Sequence, residues 1–296
     1  MLLRHADPLM TTAEVAEYLR VKERTIYEMV ARGVIPFTRA TGKLLFPRRL
    51  IDAWLEAQTE LPDAGIAPPP PICAGSNDPL LDWALRQSGA GLAVRPGGST
   101  RGLEDLAAGQ AVAAGCHLLD PESGEWNLAA VRAHLPGRGH VVIHWARRTQ
   151  GLMVAPGNPQ RIAGLREAVG RGLRFALRAP GSGSQRLLDV LLARAGLSAA
   201  DLTTAAAPAE THADLAALIE TGEADCGLGL QAAAGRLDFI PLIADECFDL
   251  VMARRDYFEP PLQALFGFAR SEAFARRAAH LGGYDLAESG RVRWNG

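Results

Sequence analysis

Four consecutive prolines, Pro68 to Pro71, divide the chain into two parts that cannot share one continuous element. Proline has no backbone N–H and fixes φ, so a run of four makes a stiff extended spacer, not a helix or an inner strand. Before the run, residues 8 to about 58 read as a compact helical unit. After it, short apolar runs such as "ICAG", "GLAVR", "AVAAGCHLL", "RFALRA" and "ADCGLGL" alternate with helical patterns such as "PLLDWALRQS", "RGLEDLAAGQ", "QRLLDVLLARAG" and "THADLAALIETG". That alternation predicts βαβ units and a mostly parallel sheet, an α/β fold in two lobes.

With 296 residues, of which 48% are hydrophobic, the chain is long enough for about two domains with real cores. A formal net charge of −2 argues against a uniformly basic nucleic-acid coat, so any DNA-binding patch must be local. Cys73, Cys116, Cys226 and Cys247 lie far apart, without the close pairs a zinc site needs, and read as buried thiols in a reducing compartment. We expect no metal cation site and no cofactor. No apolar stretch follows Met1 and no apolar run approaches 18 residues, so we expect neither a leader nor a membrane partner, and a cytoplasmic location.

The first unit opens on Thr11-Thr12-Ala13-Glu14, a capping box, followed by a helix with Val15, Ala16, Tyr18 and Leu19 on its apolar side. A short turn around Val21 leads to a second helix, "KERTIYEMVARG", stopped by Gly33. Two short helices joined so tightly have helix-turn-helix geometry. The next stretch predicts two short strands around Ala40 to Gly42 and then a third helix. From Met29 to Ile51 it carries Arg32, Arg39, Lys43, Arg48 and Arg49 and no acid, a run that can neutralise phosphates. A plainer reading makes the unit a protein-docking module with a solvated basic face.

Thr12, Glu14, Val15, Ala16, Leu19, Val21, Thr25, Tyr27, Gly33, Pro36, Gly42, Phe46, Asp52 and Trp54 together resemble the excisionase-type, MerR-like winged helix-turn-helix family. The resemblance implies a double-stranded DNA operator as partner, with Lys22, Arg24, Thr25 and Tyr27 on the groove-facing helix and Arg39, Lys43 and Arg48 on the wing. Glu23 departs from that pattern, because a carboxylate among them repels phosphate.

In the second part, three strand-to-helix turns share one chemistry. "AGSNDPLLDWAL" has Asp78 as N-cap and Pro79 at the first helical position, leaving Ser76 and Asn77 to point outward. "RPGGSTRGLEDL" offers Ser99, Thr100 and Arg101, and "APGSGSQRLLD" offers Ser182, Gly183, Ser184 and Arg186. The glycines permit close backbone approach, and unpaired amides at a helix start favour an anion. The plainer alternative for the last turn is a flexible connection with Ser184 as N-cap. Ligands of doubly wound sheets collect at the carboxyl ends of strands, so three such turns predict one cleft for a small anion. Arg148 and Gln150 are further cleft candidates, each also readable as an exposed strand end. His212 follows Thr211 in "THAD", a capping-box variant.

The stretches "AAGCHLLDPESGEWN", "RRTQGLMVAPGNPQRI", "GSGSQRLLD", "THADLAALIETGEADCGLGLQAAAGRLDFIPL" and "ECFDLVMAR" resemble the type II periplasmic-binding-protein superfamily, in its cytoplasmic branch fused to a helix-turn-helix. Relatives of that branch resemble molybdate- and tungstate-binding proteins. The resemblance implies two lobes that close by hinge motion, with crossovers near Gly151 to Pro156 and Leu237 to Pro241. It gives a helix-turn-helix domain at 1–60, a linker at 61–71, and a ligand-sensing domain at 72–296. Within that domain, lobe 1 covers about 72–150 and 240–296, and lobe 2 about 151–239. It also places His212 at the cleft. Relatives often read "NR..GSGTR" where this chain has Leu177-Arg178 and Ser184-Gln185, so its ligand can differ. His117 and Trp126-Asn127 read as core packing.

Metal-spaced histidines and a nucleophile elbow are absent from the sequence, no paired carboxylates lie near the anion turns, and GSGS is not a P-loop, so we expect no enzyme. The expected whole is a ligand-responsive transcriptional regulator, a homodimer, sensing an anion such as molybdate or tungstate. The alternative is a cytoplasmic oxyanion carrier for molybdenum or tungsten cofactor assembly. A recombination directionality factor is disfavoured by the large appended sensor.

Overall fold

A computed structural model describes residues 9–40, 42–58, 68–136, 139–205 and 207–296. The contacts divide into two units, Met1–Ala67 and Pro68–Gly296. Most of the expected linker, residues 61–67, lies outside the described residues, while Pro68 to Pro71 lead directly into the first strand of the second unit.

The first unit contains β1 (Leu9–Met10), α1 (Thr12–Leu19), α2 (Glu23–Ala31), β2 (Phe46–Pro47) and α3 (Arg48–Gln58). The Thr11/Glu14 capping box forms as expected, and Arg20 ends α1 in the left-handed region at φ 54, turning the chain sharply into α2. Val15, Ala16, Ile26, Val30, Ile35, Phe46 and Ile51 close the core. The expected strand pair around Ala40 to Gly42 is reduced to a single bridge between Thr38 and Leu45. The following residues, Phe46 and Pro47, pair instead with Met10 and Leu9, which draws the chain into the core through fully buried Phe46.

The second unit runs β3 (Ile72–Gly75), α4 (Pro79–Gln87), β4 (Ala93–Pro96), α5 (Gly98–Ala107), β5 (Ala113–Cys116), α6 (Leu128–His134) and β6 (His140–Val154). It continues with α7 (Leu165–Gly170), β7 (Arg174–Ala176), α8 (Gly183–Arg194), β8 (Thr203–Thr204), α9 (His212–Glu220), β9 (Cys226–Leu230) and β10 (Asp238–Ala253). Helices α10 (Arg254–Tyr257), α11 (Pro260–Ala269) and α12 (Glu272–Leu281) and strands β11 (Tyr284–Asp285) and β12 (Val292–Asn295) complete it. The strand order is β4-β3-β5-β10-β6-β9-β7-β8, with β11 and β12 added to β6. Pairs within β3–β5 and within β7–β9 are parallel, as the alternating pattern requires.

Two long antiparallel strands, β6 and β10, serve both halves of this sheet. The Asp249–Met252 end of β10 pairs with β5, whereas Gln150–Val154 of β6 pairs with β9. The chain therefore passes between the halves inside the strands, beside Gly151 in β6 and Pro241 in β10, at the near ends of the expected crossovers. In β10 the passage is marked by register shifts between Pro241 and Ile243 and between Ile243 and Glu246. At Gly151 a Cβ would strike the carbonyl of Ile240, so glycine is what lets the two strands pair so closely there. Apolar clusters flank both halves, one centred on Trp145, Phe248 and Phe274 and another on Phe175, Leu187 and Leu228.

Candidate functional site

On the first unit, Lys22 caps α2 by its backbone, and Lys22, Arg24 and Tyr27 are exposed while Thr25 is half-buried. Arg24 pairs with Glu28 at 2.9 Å along the helix. Arg39 and Lys43 are exposed on the turn beside the Thr38–Leu45 bridge, with Arg39 over the Phe37 ring at 5.0 Å. Arg48 is not on that turn. It opens α3, lies over Tyr18 at 3.8 Å and bonds Asp52 at 3.3 Å, so it ties α3 to α1.

The second unit holds a cavity of about 270 Å³ at the carboxyl ends of its parallel strands. Four helix starts meet at its wall. Ser76 and Asn77 come from the β3–α4 turn, Gly97 and Gly98 from the β4–α5 turn, Ser182 and Ser184 from the start of α8, and Thr211 and His212 from the start of α9. Arg178, after β7, His117, after β5, and Glu210, just before α9, add the other ionisable side chains of the lining. Three of these helices are closed by their own side chains: Asp78 accepts from Leu81 N, Ser182 from Gln185 N, and Thr211 from Asp214 N. Helix α5 is different, because its N-cap, Gly97, has no side chain to take the first amides. Those amides, with the positive end of the helix, are available to an anion.

The hydrogen bonds around the cavity decide which groups donate. Leu230 N–H donates to His212 Nδ1 at 3.3 Å, so the neutral ring carries its proton on Nε2, 3.4 Å from Ser184 Oγ. A histidine that donates to the serine cannot also take its proton, so this pair is not set as base and nucleophile. Burial, followed by the neighbouring Arg178 and Arg148 charges, holds His212 well below its usual 6.5. Arg178 donates to the carbonyls of Ala209 at 3.1 Å and Glu210 at 2.7 Å, which fixes its guanidinium at the cavity.

Beneath the floor lies a closed polar network. His117 Nδ1 is 2.6 Å from Glu246 Oε1, and the His117 backbone N–H donates to Ser99 Oγ, which shares a 2.7 Å bond with Ser76 Oγ. Arg148, fully buried, donates to Glu246 at 2.8 Å and to Asp78 at 3.0 Å and stacks over Phe248. Tyr284 adds a 2.8 Å bond to Asp78. Burial pushes the Glu246 carboxyl up, but Arg148 and His117 outweigh it, so the group lies below the usual carboxylate range. For His117, burial dominates and lowers the ring below 6.5, with Glu246 opposing.

Comparison with known proteins bears on both units. A helix-turn-helix domain family matches residues 9–59. The PBP superfamily domain matches residues 82–270, more than half of the chain. The chain belongs to the PBP superfamily. It is 29% identical over 95% of its length, and 96% of the relative's, to the uncharacterized protein YvgK of Bacillus subtilis (strain 168). It is also 32% identical, over 28% of its length and 74% of the relative's, to an uncharacterized protein in the 5′ region of the ferredoxin 2Fe-2S gene of Clostridium pasteurianum. A protein of Clostridium perfringens, described as a phosphate ABC transporter substrate-binding protein and solved with bound phosphate, superposes with TM-score 0.53 at 13% identity, over 71% of this chain and 96% of that one. That likeness shows the fold.

Within this PBP domain the expected residues separate. Ser76, Asn77, Ser182, Ser184 and His212 line the cavity. Ser99 and Arg148 do not; both are fully buried beneath it, Ser99 because its hydroxyl holds the floor and Arg148 because it neutralises two carboxylates. Thr100 and Arg186 are outside the lining as well, Arg186 lying on the exposed side of α8. Ser184 is not the N-cap, a role taken by Ser182 two residues earlier. Gly183 is required for space: a Cβ there would lie 2.6 Å from the His117 ring. Sequence reasoning missed Arg178, Gly97 and Gly98, and it assigned His117 to core packing. The sequence reading kept His117 inside the apolar run "AVAAGCHLL", whereas the strand ends at Cys116 and leaves the histidine at its carboxyl end.

Proposed function

We propose that this chain is a cytoplasmic, ligand-responsive transcriptional regulator, working as a homodimer, whose helix-turn-helix domain binds a DNA operator and whose PBP domain senses a small anion. The observation that carries the reading is the meeting of an uncapped α5 start, the Arg178 guanidinium and the Ser182 and Ser184 hydroxyls in one cavity. Such a donor set suits a tetrahedral oxyanion, the class of phosphate, molybdate and tungstate. The phosphate held by the Clostridium perfringens protein of the same fold supports that class. Binding is favoured over catalysis by the His212 tautomer. The carrier alternative has no observation of its own. The DNA contacts belong to exposed Lys22, Arg24, Tyr27, Arg39 and Lys43, with Thr25 at the edge of the same face.

Thermal shift with phosphate, sulfate, molybdate, tungstate and small carboxylates tests the sensor. An anion at 100 times its Kd stabilises the folded state by about 2.7 kcal/mol. Arg178→Met is expected to remove most of that shift, and an equal shift in the variant would remove the cleft from the reading. Fluorescence anisotropy with the chain's own promoter region tests the other half. The logarithmic salt slope should be steep and become shallower by about 0.9 for each phosphate contact removed, as in Lys43→Ala. Binding that ignores salt would reject the DNA interface.

A further inference from the structure

A second cavity, of about 240 Å³, lies on the opposite face of the β6–β10 strand pair. Arg147 faces Cys247 in the ladder, and the next pair is Arg148 with Glu246. Because successive side chains alternate faces, Arg148 and Glu246 enter the network under the cleft while Arg147 and Cys247 turn to this other cavity. Its charged wall is Arg147, Arg291, Arg293 and Glu288, and Leu128 and Val292 form an apolar side.

Each guanidinium here has a carboxylate partner, and among the described residues the histidine behind them does not have all of its own. Glu288 accepts from Arg147 at 2.7 Å and from Arg291, while Arg293 pairs with buried Asp249. The Asp245 carboxylate also acts on Arg147, so three guanidinium groups stand against three carboxylates. His144, 2% exposed, also lines this cavity. Its Nδ1 is 2.8 Å from Asp249 Oδ1, so the neutral ring keeps its proton there and offers the lone pair of Nε2. Asp249 is itself held by Asn127 at 2.7 Å, which fixes the histidine's partner. Among the described residues, His144 Nε2 has no hydrogen-bond partner. A buried acceptor left without a donor is costly and calls for a matching group.

We propose that this second cavity binds a small oxyanion that also carries an O–H group, hydrogen phosphate being the simplest, at a site separate from the cleft. The guanidinium groups take the charged oxygens in charge-assisted bonds, and the O–H donates to His144 Nε2. Sulfate, which has the same shape but no O–H near neutral pH, satisfies only the first requirement. The proposal does not depend on what the cleft binds.

The test uses the full chain with Arg178→Met, so that the cleft is weakened, and calorimetric titration with inorganic phosphate. Saturable binding is expected, falling at least about tenfold when Arg147→Met and Arg291→Met are added, as the loss of a charge-assisted bond requires. Sulfate should bind more weakly by a similar factor. A second measurement needs no arginine variant: in wild-type protein labelled with ¹⁵N-histidine, the Nε2 resonance missing from His144→Gln should shift with phosphate and not with sulfate. No saturable binding in the Arg178→Met chain, binding unchanged by the two arginine substitutions, equal binding of sulfate, or an unmoved His144 resonance would each overturn the proposal. If the arginine variants fail to fold, the resonance alone decides.

Discussion

His117 and His212 face the same cavity, yet their partners give them different parts. Glu246 holds His117 through Nδ1, whereas the Leu230 amide claims the Nδ1 of His212. Both rings lie below 6.5 when folded, His212 well below it, mainly through burial. Below about pH 6.5 the unfolded chain therefore binds more protons than the folded one, so this contribution to stability is present above that pH and lost as pH falls. In His212→Asn the decrease in stability between about pH 7.5 and 5.5 should be smaller by about 1 kcal/mol, since one pKa unit corresponds to about 1.4 kcal/mol. Melting temperatures at the two pH values measure it, and an unchanged difference would show that His212 does not titrate with unfolding. Neither role was legible in the sequence. Glu246 stands 129 residues from His117, and only the pairing of β10 with β5 and β6 brings them together. The parity of Arg147 and Arg148 was hidden for a related reason: β6 is buried along most of both faces, so hydropathy does not say which arginine points to the cleft.

At the scale of single elements, local chemistry was readable. Asp78 with Pro79, and Thr211 with Asp214, start α4 and α9 as their spacing predicts, because a cap needs only neighbours within one turn. Contacts between elements were not readable. Gly102 lies inside α5, where alanine would ordinarily favour the helix by about 1 kcal/mol. Here a Cβ would lie 2.5 Å from Gly75 Cα and 2.9 Å from Gly75 N, against the end of β3. Backbone cannot rotate aside as a side chain does, so Gly102→Ala is expected to destabilise by about 1–3 kcal/mol, the cost of overpacking. It should also displace the α5 start from the cavity and weaken anion binding. Urea midpoints report the first effect and phosphate titration the second; a stabilised variant would mean that α5 and β3 are not packed this closely.

At the scale of the whole chain, the PBP domain depends on one ion cluster that four elements share. Asp78 stands at the start of α4, Arg148 on β6, Glu246 on β10 and Tyr284 on β11, and all meet at the strands common to both halves of the sheet. Taking a buried cation from two buried carboxylates leaves uncompensated charge, which costs about 3–5 kcal/mol, whereas an exposed ion pair is worth about 1 kcal/mol or less. The helix-turn-helix unit has a separate core built on Val15, Ile26, Phe46 and Ile51. Arg148→Met should therefore lower the melting of the larger unit strongly and leave that of the smaller one in place. Thr11→Ala, which removes the side-chain half of the α1 capping box, should do the reverse at a cost of about 1 kcal/mol. Calorimetry of the full chain with both variants distinguishes the cases. If either substitution moved both transitions equally, the two units would unfold as one, and the separate cores would not be separate in stability.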